Sequence, residues 1–410
     1  MKQFIIILLL LLPMAGYCQE KPTETDIIDI ARKLFKKDDS SSKKKASTIA
    51  FLPSVGYNPS MGFQFGVNIS GGKYLGPPEN TTLSVFTLLG YVTTKGIVTA
   101  QARHNFFTKG NKYNLQGNWQ ISRMVTLDYG PGSGIVTGTK DNFSIGGYPL
   151  KNDSATFPIK FTYLRFLERF YQRIAPHLYA GVGVSFDIRF KIDDQRLAEL
   201  GHTPHHDYSV KNNYDTLHYS ANGLLFNLQY NTREHPNRSY GGVYADLGIR
   251  LNQGWLGSTR NSFQVLTELR KYWSLSSTKP QHVLAFWHWG SYLLGGSIPY
   301  LELPGSASDT YNRSGRGYTI GAIKGLSFFY SELEYRFPIS SNGFLSGVSF
   351  ANVQTASNQT GSKLFEYWTP AVGAGLRFLF NKHTRTNICL DYAIGRYGSQ
   401  GFFFGLNEAF

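Results

Sequence analysis

The sequence predicts an all-β fold, a transmembrane antiparallel β-barrel of about 16 strands with a short periplasmic amphipathic helix in front of it. Three observations indicate this fold. Apolar and polar side chains alternate along many successive segments from about Ser47 onwards. Aromatic residues make up 15% of the chain and Gly occurs 43 times, although hydrophobic residues total only 41%. No segment after the first 18 residues is apolar over a length that would span a membrane as a helix.

Residues 1–18 are predicted to be a signal peptide. Lys2 precedes an apolar run over residues 4–12, and small residues lie in front of the expected cleavage point after Cys18. The apolar run is too short to cross a bilayer as a helix, and the bulky Tyr17 disfavours a lipidated Cys18. We therefore expect export to the outer membrane of a Gram-negative bacterium.

Residues 19–46 are predicted to be a short periplasmic segment with an amphipathic helix over Ile27–Phe35. Thr23 and Asp26 resemble a capping box, and apolar residues follow at helical spacing. The helix could lie on the inner leaflet, plug the barrel or bind a protein partner, and a frayed tether is the alternative. The lysines between residues 36 and 45 could contact anionic head groups or form a solvated linker.

The net charge of +14 does not predict nucleic-acid binding, because the basic residues do not cluster on one candidate binding face. The expected partners are outer-membrane lipids, lipopolysaccharide and a periplasmic or outer-membrane protein that binds through Ile27–Phe35.

The barrel is predicted to occupy residues 47–410. A β-sandwich would also alternate, but with shorter strands. On one predicted strand, Trp368 and Phe378 share a face and would lie roughly 25 Å apart along the membrane normal, the height of a lipid-facing band between aromatic girdles. Long connections are expected at the extracellular end and short turns at the periplasmic end. The long connections are 129–158, 193–218, 298–324 and 353–365, and the short turns lie near Pro77, Lys109, Arg173, Pro236, Lys279, Ser340 and Lys382.

The connection 298–324 carries Arg316-Gly317-Tyr318, and Glu334 follows on the next predicted strand. This arrangement resembles the barrel of the bacterial surface-antigen superfamily, which includes BamA, TamA and the two-partner-secretion transporters. In that family the sixth extracellular loop folds into the lumen, where its tip pairs with acidic residues on the next two strands. By our strand count this loop is the sixth.

The resemblance implies a loop-six site made of Arg316, Gly317, Tyr318, Glu334 and Asn352. Asn352 stands where the family has a second acidic residue. A buried Arg needs a counter-charge, so we expect Glu334 to supply the charge and Asn352 a neutral hydrogen bond. The contact would then be weaker than in relatives with two carboxylates. The alternative is that Arg316 remains in solvent.

The ends of the barrel carry two further predictions. Gly405 and Phe410 are expected on the barrel-closing strand, with the terminal aromatic residue as the signal that assembly machinery reads. Pro53 and Gly56 lie on the first strand, where they would weaken pairing. In the resembled family the seam between the first and last strands opens laterally, so weak pairing there is consistent with a gate, or simply with a bulge.

No metal, cofactor or enzymatic activity is expected. His202, His205 and His206, with His218 farther along the same loop, are weak candidates for a metal site, since no spacing rule identifies one. No residue pattern pairs a nucleophile with a base. Cys389 would be the only cysteine left after cleavage, and we interpret it as an inert thiol on the lumen side.

Two classes of function remain. The resemblance implies a barrel that assists insertion or translocation of proteins or lipids. Relatives receive clients through periplasmic POTRA domains, and residues 19–46 are too few for one, so a separate periplasmic partner would deliver the client. The alternative is a barrel without insertase activity, either a subunit of another outer-membrane complex or a small-solute pore.

Overall fold

Sixteen antiparallel strands form one sheet within the part of the chain that this computed structural model describes. The described residues are 24–27, 29–30, 47–58, 62–133, 135–136, 143–145, 148–150, 157–310, 312–357, 363–382, 384–396 and 398–410. The predicted signal peptide, 1–18, and the predicted helix beyond Ile30 lie outside them. The predicted fold class and strand number are confirmed. No described helix is long and apolar enough to cross a membrane.

Each strand of the barrel pairs with its neighbours in sequence order. The strands are β1 Ser47–Asn58, β2 Gly62–Lys73, β3 Ser84–Thr93, β4 Val98–Phe107, β5 Tyr113–Asp128, β6 Phe157–Ala175, β7 Leu178–Asp194, β8 His218–Asn231, β9 Gly242–Asn252, β10 Ser262–Ser274, β11 Val283–Gly296, β12 Ser327–Pro338, β13 Leu345–Ala356, β14 Thr369–Asn381, β15 Thr386–Gly395 and β16 Gln400–Leu406. A separate small sheet is formed by Ile135–Val136, Phe143–Ile145 and Tyr148–Leu150.

The two-residue period of the sequence separates a lipid-facing surface from the lumen. On β7 the side chain of Val182 is 56% exposed on the outer surface, whereas that of Asp187 is buried inside. Asp187 accepts hydrogen bonds from Arg165 on the neighbouring strand β6 at 2.6 Å and from Arg250 on β9, two strands away, at 3.0 Å. The polar face of each strand therefore makes a charged, hydrogen-bonded lumen.

The connections divide into two sets at the two ends of the barrel. With the end that carries the short turns taken as periplasmic, the longer extracellular connections are 129–156, 195–217, 297–326 and 357–368. The connection 297–326, between β11 and β12, is the sixth at that end, and we call it loop six. The loop between β7 and β8 contains two short helices, α1 Leu197–Leu200 and α2 Pro204–Lys211.

The sheet is not closed by a backbone ladder between β1 and β16 in the described residues. The two strands nevertheless lie side by side, because a Cβ atom added at Gly56 on β1 would lie 3.7 Å from the carbonyl oxygen of Phe404 on β16. Pro53 pairs in register with Val67 on β2. The predicted seam residues Pro53 and Gly56 thus lie on the strand that borders the gap.

The described part of the N-terminal segment lies against the periplasmic rim. Asp29 N–H donates to Asp26 at 2.9 Å and Asp26 N–H donates to Asp29 at 3.2 Å, a reciprocal helix cap. Asp26 therefore caps the described start of the helix, because a carboxylate three residues later can return the hydrogen bond; Thr23, its expected capping partner, lies outside the described residues. Asp29 also forms an ion pair with Lys382 at 2.7 Å, and Thr25 N–H donates to the Asn342 carbonyl at 3.0 Å.

Candidate functional site in the barrel lumen

Loop six is held inside the barrel at its base by charged contacts. Lys324 forms an ion pair with Asp128 at the end of β5, and the hydroxyl of Tyr300 donates to the same carboxylate at 2.8 Å. Glu302 forms an ion pair with Arg189 on β7. These contacts connect the loop to the wall opposite its own strands. The sequence does not predict these contacts, since nothing local marks which loop residue meets which strand.

Two glycines shape the tip of loop six. Gly315 and Gly317 have φ values of +79° and +100°, which other residues rarely adopt. A Cβ atom at Gly317 would also lie 2.8 Å from the Cβ of Ala371 on β14. Tyr318 donates its hydroxyl to the Pro370 carbonyl at 2.6 Å. The tip therefore approaches the barrel wall closely, with Arg316 turned into the lumen.

The guanidinium of Arg316 meets three carboxylates. Its Nε donates to Glu332 at 3.2 Å, its Nη2 to Glu334 at 2.5 Å, and its Nη1 to Asp391 on β15 at 2.9 Å. The guanidinium also lies 3.5 Å from the centre of the Phe350 ring, and the side chain is only 6% exposed. Desolvation makes such a charge costly unless partners surround it, and here they do.

Further arginines extend this contact into a network. Arg377 on β14 bridges Asp391 at 2.5 Å and Glu408 at 2.7 Å, and Arg336 pairs with Glu334 at 2.6 Å. Acidic and basic groups alternate, so each buried charge has an opposite neighbour. We call this set the loop-six cluster: Arg316, Glu332, Glu334, Arg336, Arg377, Asp391 and Glu408.

The geometry differs from the expectation of a single carboxylate. Glu334 contacts Arg316, and Glu332 and Asp391 do so as well. Asn352 donates its amide N–H to the backbone carbonyl of Arg316 at 2.9 Å and does not accept from the guanidinium. The neutral residue at 352 thus leaves no charge deficit, because Asp391 supplies a carboxylate from another strand. The period-two alternation places Asp391 on the lumen side, but the sequence does not give the height of Asp391 in the barrel.

The predicted position of Phe410 is corrected. Gly405 lies on β16, but this strand ends at Leu406, and Phe410 is buried in the lumen. Its ring lies 5.3 Å from that of Trp287, and its backbone oxygen accepts from Arg336 at 2.9 Å. Residues 407–410 turn into the lumen because the Glu408 carboxylate forms an ion pair with Arg377 there. An apolar residue at 408 would have favoured continuation along the lipid-facing sheet. The assembly-signal role of Phe410 stays a prediction.

Replacing Gly375 with Ala is expected to disturb the loop-six cluster from the wall side. A Cβ atom at this position of β14 would lie 1.9 Å from Oδ1 of Asp391, so the carboxylate would have to leave Arg377 or Arg316. We expect a loss of stability of about 1–3 kcal/mol, measured as a lower temperature at which the folded barrel loses its fast migration on a gel. Gly90→Ala on β3, where nothing lies within 4 Å of the added atom, is the matched control, and an equal loss there would contradict the explanation.

The weak metal candidates do not converge. His205 is buried beside Asp194, at 3.6 Å, whereas His202 and His206 both lie near Asp207, at 3.9 and 3.4 Å. His218 contacts Asp215 instead. No group of three or more suitable side chains occurs among the described residues. Cys389 is buried on the lumen side.

Part of the lumen is not filled by loop six. A cavity of about 700 Å³ lies between the loop and the wall. Charged side chains from several strands line it, among them Arg103, Arg169, Asp246 and Arg270. Loop six and residues 407–410 border this cavity, so their displacement would enlarge it.

A sequence model of the Omp85 superfamily domain matches residues 37–410. No curated protein sequence matches this chain significantly. Among solved structures, the barrel is similar to BamA from Haemophilus ducreyi lacking POTRA domains 1–3, with a TM-score of 0.53 and 16% identity, covering 89% of this chain and 70% of that one. It is similar to CdiB from Escherichia coli, with a TM-score of 0.54 and 8% identity, over 90% of this chain and 63% of that one. For CdiB from Acinetobacter baumannii the values are 0.50, 11%, 88% and 59%.

Proposed function

Because this chain belongs to the Omp85 superfamily, as the arrangement of Arg316-Gly317-Tyr318 and Glu334 predicted, we propose that it assists insertion or translocation of proteins or lipids at the outer membrane. A separate periplasmic partner would deliver the client. The chain spans less than two thirds of both CdiB chains it resembles, 63% and 59%. We therefore propose the client and the partner from the geometry of this chain.

The observation that carries this proposal is the seam. β1 and β16 lie in contact at Gly56 and Phe404, yet no backbone ladder joins them in the described residues. Unpaired strand edges are templates for pairing with another strand. A client strand could therefore pair there without first breaking a ladder.

The periplasmic rim offers a place for the partner. The described residues 24–27 and 29–30 lie on this rim through Asp26 and Asp29, and the predicted helix Ile27–Phe35 begins there. A partner that binds this helix would be held beside the periplasmic mouth. Bond-making chemistry has no part in this scheme, since the folding of the client supplies the free energy.

The proposal is tested by depleting the protein and measuring the outer-membrane proteome. We expect several unrelated barrels to decrease, and re-expression of the natural chain to restore them. A reducible thiol cross-linker across the seam, between Val55→Cys and Phe404→Cys on the outer face in a Cys389→Ser background, should fail to restore them when intact and succeed when reduced. The matched control joins β1 to β2 through Val55→Cys and Phe65→Cys, which face each other in register.

Three results would contradict the proposal. Restoration by the cross-linked seam variant would show that the seam need not open. Loss of one or two specific proteins would indicate a dedicated subunit of another complex. An unchanged proteome together with single-channel conductance would indicate a small-solute pore, which the cavity of about 700 Å³ would then serve.

A further inference from the structure

Three cations lie on adjacent strands at the outer surface of the barrel. Arg123 on β5 and Lys191 on β7 are exposed, and Lys160 on β6 is half-buried. The strand parity places Arg123 and Lys160 on the lipid-facing surface, since their sequence neighbours Ser122 and Ile159 are buried on the lumen side. Lys191 lies at an irregularity in the pairing of β6 with β7, where its φ of +52° is unusual for a lysine.

The depth of this group follows from β5. Tyr113, at the periplasmic end of β5, packs against Phe170 at 5.3 Å. Arg123 is farther along the same face by roughly 25 Å of membrane normal, given the rise of a tilted strand. This is the height of the lipid-facing band. Ile121, one outward position below Arg123, is 55% exposed. Arg123 therefore lies at the boundary between the outer-leaflet acyl chains and their head groups.

The three cations lie close together on the outer surface of the barrel. Arg123 faces Thr162 in register and Lys160 faces Val125, so the two cations are diagonal neighbours with side chains about 7–8 Å apart. Asp193 on β7 faces Lys160 on β6 in register, but the Asp193 carboxylate accepts a hydrogen bond from the Gln195 amide at 2.5 Å. Among the described residues, Arg123, Lys160 and Lys191 form no ion pair within 4.0 Å.

We propose that Arg123, Lys160 and Lys191 bind the phosphate groups of lipopolysaccharide in the outer leaflet. Its lipid A anchor carries phosphates directly above several acyl chains. That geometry matches cations spread over three strands above an apolar surface, whereas the single phosphodiester of a phospholipid would engage only part of the group. The proposal rests on the outer-membrane placement and not on the transport or assembly role.

The test measures binding of defined lipids to the purified full-length barrel by native mass spectrometry. The probes are bisphosphorylated lipid A, lipid A without phosphates, and phosphatidylglycerol. The variant Arg123→Gln/Lys160→Gln/Lys191→Gln removes the three charges. The matched control, Lys109→Gln/Lys112→Gln/Arg173→Gln, removes three exposed charges at the periplasmic end of the same strands. Fast migration on an unheated gel shows that each variant is folded, and Arg123→Gln alone replaces the triple variant if it is not.

We expect the natural chain and the control to bind bisphosphorylated lipid A, and the triple variant to bind it at least about tenfold more weakly. Lipid A without phosphates should bind the natural chain as weakly as the bisphosphorylated form binds the triple variant. Equal loss in the control, or no loss in the triple variant, would overturn the site. Equally tight binding of phosphatidylglycerol would overturn lipopolysaccharide as the ligand. These outcomes are independent of the proteome experiment.

Discussion

Replacing Arg316 with Met is expected to destabilise the folded barrel by about 3–5 kcal/mol, because the change leaves buried carboxylates without their shared partner. Glu332 and Glu334 are fully buried, and Asp391 is nearly so. Arg336 and Arg377 remain beside Glu334 and Asp391, but Glu332 keeps only neutral partners such as Tyr330, whose hydroxyl donates to it at 2.6 Å.

The measurement is the temperature at which the barrel loses its fast migration on a gel. Arg316→Lys keeps the charge but cannot form the bidentate contact of a guanidinium. Its transition temperature should therefore lie between those of the natural chain and Arg316→Met. Adding Glu332→Gln to Arg316→Met should recover part of the loss, since the amide needs no counter-charge. An unchanged transition for Arg316→Met would mean that loop six is not held by this contact.

Replacing Glu408 with Leu is expected to cost a similar amount, about 3–5 kcal/mol, and to release residues 407–410 from the lumen. The Glu408 carboxylate accepts from Arg377 at 2.7 Å and from the Asn387 amide at 2.6 Å. Without it, Arg377 keeps Asp391, but Arg238, 3.8 Å from Glu408, loses the acidic group beside it.

A double-mutant cycle distinguishes release of the segment from a local loss. If residues 407–410 dock as a unit, Phe410→Ala should cost little once Glu408→Leu is present, because the ring has already left Trp287. Additive losses would show that Phe410 stays packed without Glu408. Glu79→Leu, an exposed position in the turn after β2, supplies the control for removing a negative charge and should leave the gel transition unchanged.

The barrel itself could be predicted because its signal is local. Alternation at period two assigns the side chains of β7 from Val182 to Phe190 to one face or the other from the sequence alone. The order of short turns and long loops then gives the strand number and identifies loop six. These inferences need no knowledge of which residues meet across the lumen.

The loop-six cluster could be predicted only in part, because it depends on heights that the sequence does not reveal. Period-two parity puts Asp391 on the same face as Cys389, but only the stagger of β12 to β15 sets it level with Arg316, 75 residues earlier. The resemblance supplied Glu334 and pointed to Asn352, and so a single charge was expected. Lys324 and Asp128 are 196 residues apart, and no motif connects them.

Phe410 shows a different limit. A terminal aromatic residue is ambiguous, because the same side chain fits a lipid-facing strand or a lumen pocket. Glu408 was the available signal, since a carboxylate near the end of a lipid-facing strand requires a buried partner. Which way the segment turns depends on Arg377, and that residue is far away in sequence.

The contacts of the last strand make the two edges of the seam mechanically unequal. Arg313 of loop six donates to the carbonyl of Leu406 at 2.8 Å, and Glu408 connects the segment after β16 to β14. β16 is thereby stiffened from inside, while β1 is paired in register only with β2. Any widening of the seam would bend the β1–β2 hairpin outward and leave β16 as the stationary edge. An incoming strand would then pair with the fixed edge of β16 on one side and with the movable edge of β1 on the other.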